Sequence, residues 1–120
     1  MTSYTINVLL IVGLLVGGVY DREVFAQTTS LPQRHVVQIE SFAFQPPHIT
    51  VVPGDTVVWV NRDFVPHFIS VGEGTWQSNV LEEHQSWELV VNETGSFSYV
   101  CVFHPKMMGI VTTQMSRPIK

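Results

Sequence analysis

The stretch Pro53-Gly54-Asp55-Thr56-Val57-Val58-Trp59-Val60-Asn61 decides the fold. Pro53 presets the first corner of a turn, and Gly54 tolerates the positive φ of the second. From Asp55 onward, Val57, Trp59 and Asn61 share one face of an extended segment, and Val58 and Val60 share the other. Apolar residues on both faces mark a strand covered from both sides, as a central strand of a sandwich is. Working back from it, Ile49 and Val51 form a short strand, which Gln45-Pro46-Pro47 separates from the one before. Val37 and Ile39 alternate, and Phe42 and Phe44 alternate on the opposite parity, so a bulge is expected near Ser41.

Working forward, Asn61 to His67 reads as a loop and Phe68 to Val71 as extended. Gly72 to Glu83 reads as loop, with Gly72, Gly74 and Asn79 as breakers. Ser86 to Val91 is a strand with Trp87 and Leu89 on one face, and Asn92-Glu93-Thr94-Gly95 is a turn. Phe97, Tyr99 and Cys101 share a strand face, and Gly109 to Met115 is the last strand. No long helical period follows residue 26. Short strands at this spacing predict an all-β Greek-key β-sandwich of seven to eight strands.

The 120 residues make one domain, with a net charge of −4. Ile6 to Val19 is uncharged and almost wholly aliphatic plus glycine. At fourteen residues it is shorter than the roughly 20 that span a bilayer. Val24 and Ala26 fit the small-residue positions of a signal cleavage site, so residues 1–26 are expected to be a signal peptide cut after Ala26. Met1 to Asn7 lacks Lys and Arg, and the alternative is an uncleaved N-terminal anchor, the one case in which the protein meets a membrane. Residues 27–34 read as a flexible start and 35–120 as the domain. Both alternatives place the domain in the periplasm or otherwise outside the cytoplasm. Residues 27–120 carry five Lys and Arg against eight Asp and Glu with no basic cluster, which argues against nucleic acid as a partner.

The chemistry sits in Tyr99-Val100-Cys101-Val102-Phe103-His104-Pro105-Lys106-Met107-Met108-Gly109. Cys101 is the single cysteine, so it has no intrachain disulfide partner. A bare thiol in an oxidising compartment is a liability unless something occupies it. His104 and Met107 follow at three-residue steps. Thiolate, imidazole and thioether suit copper, whereas calcium and magnesium want oxygen. Taken alone, a buried Cys and a gap-filling Met explain the same residues. A fourth donor from a neighbouring loop is needed, and His67, beyond the central strand, is the candidate. Two imidazoles, a thiolate and a long axial thioether are the donors of a blue copper centre. Met108 is the alternative to Met107. His35, His48 and His84 lack a partner at ligand spacing and read as surface residues, as do Glu82 and Glu83.

Here the chain resembles a known family. Phe42-x-Phe44-x-Pro46, Ile49-x-Val51, Gly54-Asp55-x-Val57-x-Trp59-x-Asn61, Pro66-His67 and Tyr99-x-Cys101-x-x-His104-Pro105-x-Met107-x-Gly109 follow the order of the plastocyanin/azurin class of cupredoxins. The short step from Cys101 to Met107 is similar to that of its amicyanin-like members. The resemblance implies one type 1 copper ion held by His67, Cys101, His104 and Met107. It implies that Asn61 ties the His67 loop to the cysteine loop. It implies a monomeric carrier of single electrons between transient redox partner proteins. Pro66, Phe103, Pro105 and Met108 would form an apolar docking patch around His104. A copper storage or delivery protein could use the same donors. An enzyme is not expected: no His-x-His pair, second cysteine, general base or substrate pocket is evident.

Overall fold

The computed structural model describes residues 17–18 and 30–119. The predicted leader and its cleavage site lie outside the described residues, Gly17 and Gly18 apart. Nine strands follow in order: β1 Arg34–Glu40, β2 Ala43–Gln45, β3 His48–Val51, β4 Asp55–Asn61, β5 His67–Val71, β6 Trp76–Leu81, β7 Ser86–Val91, β8 Ser96–Cys101 and β9 Met108–Thr113. There is no helix among the described residues. The strands form two sheets, ordered β2-β1-β4-β7 and β3-β9-β8-β5-β6. β1 pairs parallel with β4, and β3 with β9; the other pairs are antiparallel.

The expected all-β sandwich is present, with β4 in the interior of its sheet. Val57, Trp59 and Asn61 are buried as read, and Val58 is buried on the other face. Trp59 stacks on Trp87 at 5.1 Å and meets the edge of Tyr99 at 5.3 Å. Tyr99 also packs on Phe44 at 4.7 Å. Burial pushes the Tyr99 phenol up to about 12, so it stays neutral and acts as a core residue. Its ring lies across Gly109, its cross-strand partner: an added Cβ there would fall 2.1 Å from Tyr99 Cζ. Turn chemistry before β4 is as read, with Gly54 at φ 96° and the Asp55 amide donating to Val52 O at 2.9 Å.

Two expectations about the strands are corrected. The parity slip at Ser41 is not a bulge. Glu40 pairs with Ala43, and the two residues between them, Ser41 and Phe42, take φ of 52° and 57°. Two positive φ values make this a tight two-residue hairpin, so the chain reverses and the parity resets. The segment 72–83 is not all loop, because Trp76–Leu81 forms edge strand β6. Its register shifts between Phe68 and Ser70, which destroys the alternation that would have marked it. These two changes account for nine strands where seven to eight were expected.

At the end of β4 remote from Asn61, buried Asp55 joins both ends of the domain. Its Oδ1 accepts from the Gln33 amide at 2.8 Å and Arg117 Nη2 at 2.7 Å. Its Oδ2 accepts from His35 Nε2 at 2.8 Å, Arg117 Nη1 at 2.9 Å and the Val52 amide at 3.0 Å. Arg117 Nη2 also donates to Leu31 O at 3.0 Å. Residues 31–34, read as part of a flexible start, are therefore tied down, and β1 starts at Arg34. His35, read as a surface residue, is half-buried and paired.

Burial alone would push the Asp55 carboxyl up. Arg117, the Gln33 and Val52 amides and His35 outweigh it and hold the carboxyl far below its ordinary 3.8. A depressed carboxyl stabilises the fold fully above its unfolded value, and that contribution is lost as pH falls through its folded one. Urea unfolding of the metal-free protein should therefore show stability declining below about pH 4. Asp55→Ala should cost about 3 kcal/mol at pH 7 and flatten that acid limb. Gly109→Ala should cost about 1–3 kcal/mol in the same assay, because Tyr99 is wedged between Trp59 and Phe44 and has no room to retreat.

Candidate metal centre

Strand pairing builds the site. Ile69 of β5 pairs with Cys101 of β8, so the start of β5 and the end of β8 lie at the same tip. His67 opens β5 there and Cys101 closes β8. The loop beyond Cys101 is folded by its own backbone. The His104 amide donates to Cys101 O at 3.1 Å, and the Met107 amide to His104 O at 2.8 Å. The Cys101 amide donates to Met107 O at 3.1 Å, and the Val102 amide ties the loop to Phe68 O at 2.7 Å. Two successive turns return the chain to β9 and fold His104 back toward the sulfur.

His67 Nδ1 stands 3.4 Å from Cys101 Sγ, and His104 Nδ1 stands 3.7 Å from it. All three donor atoms lie within 4.8 Å of one another. Donors about 2.0–2.3 Å from one shared ion would be separated by such distances, so the three fit a metal. His67 and Cys101 are fully buried and His104 is half-buried. Met107 is buried in the same core cluster as Cys101. Along β9, Gly109 and Val111 are buried and Met108 and Ile110 exposed. By that alternation Met107 lies on the inner side, and Met108, 61% exposed, faces solvent.

A carboxylate that sequence reading passed over orients His67. Asp63 Oδ2 accepts from His67 Nε2 at 2.9 Å. A carboxylate only accepts, so the imidazole proton sits on Nε2 and the Nδ1 lone pair is free for a metal. The same carboxylate accepts the Ser41 amide at 2.7 Å and the Phe42 amide at 3.0 Å. Burial would push this carboxyl up, but the Phe42 amide, His67 and the Ser41 amide hold it below its ordinary value. Its position four residues before His67, inside the loop, was the available signal.

Asn61 does not reach the cysteine loop. Its Nδ2 donates to Val65 O at 2.8 Å and Leu81 O at 2.9 Å, and its Oδ1 accepts the Asp63 amide at 2.8 Å. It therefore shapes the loop leading to His67 and fastens it to β6. Of the remaining histidines, exposed His48 meets Thr112 Oγ1 at 3.0 Å, and His84 is 70% exposed beside Glu83. Of the residues read as a docking patch, Phe103, Pro105 and Met108 are exposed and Pro66, like His104, is half-buried. Phe42, which had read only as a strand residue, stands edge-on to both imidazoles.

Residues 33–114 match the sequence model of copper binding proteins of the plastocyanin/azurin family. The chain is 34% identical over 84 residues to amicyanin from Paracoccus versutus, covering 66% of this chain and 64% of that protein. It is 33% identical to amicyanin from Paracoccus denitrificans, with the same coverage. The chain thus spans slightly less than two thirds of the length of these two relatives. Among solved structures, an amicyanin point variant in its oxidised state superposes with a TM-score of 0.64 and 31% identity, covering 68% of this chain and 82% of that one. A purple cupredoxin from Nitrosopumilus maritimus gives 0.62 and 29%, covering 67% and 99%.

Asp63→Ala should lower the folding stability of the metal-free protein by about 1–3 kcal/mol, since it strands two hairpin amides and the His67 N–H. Asp63→Asn should cost less, because one amide oxygen still accepts. Urea unfolding of both variants in the absence of metal checks the order.

Proposed function

Because the chain belongs to the plastocyanin/azurin family of copper-binding proteins, we propose that it is a type 1 copper protein carrying single electrons between partner proteins outside the cytoplasm. The convergence of His67 Nδ1, Cys101 Sγ and His104 Nδ1 within 4.8 Å carries this reading. Cys101 would supply the thiolate, His67 and His104 imidazole nitrogens, and Met107 a weak thioether. This soft mixed set selects copper over oxygen-seeking cations. Bound copper supplies one-electron chemistry by alternating between Cu(I) and Cu(II).

The protein's own residues do the rest. His67, Cys101 and Met107 are buried, which keeps their donor atoms from bulk water. The Asp63 carboxylate fixes the His67 tautomer, and the two-turn loop fixes His104. His104 is the half-exposed member, so its edge would be the route by which electrons reach a bound ion. Exposed Phe103, Pro105 and Met108 beside it offer a small apolar surface, suited to brief docking of a redox partner. Residues 1–26 act as the leader, cut after Ala26, and the domain runs from 35 to 120. A copper carrier is favoured over a storage or delivery protein because both imidazoles are braced by neighbouring groups.

Adding Cu(II) to the metal-free protein should give one copper per chain and an intense visible thiolate-to-copper band. Cys101→Ser should abolish the band. Met107→Ala should keep it and shift the reduction potential. Voltammetry should show reversible one-electron exchange. Protein that stays colourless and copper-free rejects the site. A bound but electrochemically silent ion rejects the carrier role in favour of storage.

A further inference from the structure

The β1–β2 hairpin tip carries a feature that the copper reading leaves unused. Ser41 and Phe42 both hold left-handed φ, 52° and 57°, where Gly or Asn is the usual occupant. A bulky aromatic there is strained. Phe42 is also 52% exposed, so the core gains little from it. Yet the tip is locked, because Asp63 accepts both of its amides while holding His67 with the same carboxylate.

The lock delivers the Phe42 ring to the metal donors. Its centroid lies 5.9 Å from that of His67 at 78° and 5.0 Å from that of His104 at 85°. Both are edge-to-face arrangements, the geometry in which aromatic rings attract. The two imidazoles themselves lie 5.3 Å apart. His67 is fully buried and tied to Asp63. His104 is half-buried on a loop, and its only side-chain hydrogen-bond contact among the described residues is the 3.7 Å approach to Cys101. Of the two histidines it is the one whose ring has no carboxylate anchor.

Resting on the copper reading above, we propose that Phe42 is a positioning residue for this centre. Pinned by Asp63, its ring is a wall that keeps His104 Nδ1 aimed at Cys101 Sγ with or without an ion. The strain at Phe42 is then the cost of placing an aromatic ring where the hairpin would otherwise carry a small residue.

Phe42→Gly separates this from a structural role, because glycine relieves the φ while removing the ring. The full chain is compared as wild type, Phe42→Gly, Phe42→Leu and Phe42→Tyr. In the metal-free protein, NMR relaxation of the His104 ring should show greater mobility in Phe42→Gly and wild-type order in Phe42→Tyr. In the Cu(I)-loaded protein, transfer to a Cu(I) chelator at constant pH should be roughly 2- to 10-fold faster in Phe42→Gly, intermediate in Phe42→Leu and restored in Phe42→Tyr. The melting midpoint of metal-free Phe42→Gly should equal or exceed that of wild type. Unchanged ring mobility and release in Phe42→Gly overturn the proposal, and so do changes that merely track a lowered midpoint. Failure of the wild type itself to bind copper rejects the copper reading, while the metal-free ring mobility still decides the positioning role.

Discussion

Everything at the working tip follows from the register between β5 and β8. Ile69 faces Cys101 across that ladder, so the first residue of one strand and the last of the other emerge side by side. A slip of one residue would turn Cys101 toward solvent and His67 away from it, because side chains alternate along a strand. The register is held by the buried face of the pair. Ile69, Val71, Tyr99 and Cys101 are all buried, so a slipped pairing would expose them together. The site is precise because it is an edge of the hydrophobic core and not an attachment to it.

Two carboxylates do parallel work at opposite ends of β4. Asp55 gathers Arg117, His35 and two amides, and closes the chain ends against the sheet. Asp63 gathers two hairpin amides and His67, and closes β1–β2 against the loop that follows β4. Each is the answer to unsatisfied backbone donors in a non-regular segment, which cost about as much as a lost hydrogen bond when buried. They differ in consequence. The Asp55 assembly affects only whether the domain is folded, whereas the Asp63 assembly also fixes which nitrogen of His67 is available.

Much of this was legible in the chain. The apolar run Val57–Val60, the Pro53-Gly54 turn and the spacing of Cys101, His104 and Met107 each have a local cause, so each could be read locally. What was missed is non-local. The Ser41–Phe42 hairpin has neither the Asn nor the Gly that marks such turns, because its amides are satisfied by Asp63, more than twenty residues away. Strand β6 carries a register shift that hides its alternation. His35 looked like a solvated residue because its partner, Asp55, belongs to a different strand. Asn61 was expected to reach the cysteine loop, but its hydrogen bonds go to Asp63, Val65 and Leu81.

The arrangement of constraints bears on carriage against delivery. A delivery protein must release its ion readily, which needs at least one donor on a mobile, hydrated segment. Here His67 and Cys101 are wholly buried, Met107 nearly so, and the loop holding His104 is fixed by successive backbone hydrogen bonds. Each donor is thus held by something other than a metal. A cage of that kind would relax little if the charge of a bound ion changed, as the proposed electron carriage requires. The same rigidity would slow the surrender of a bound ion, with the Phe42 ring standing against His104. Rigid donors with one half-exposed imidazole are what supports the proposed carrier over a delivery protein.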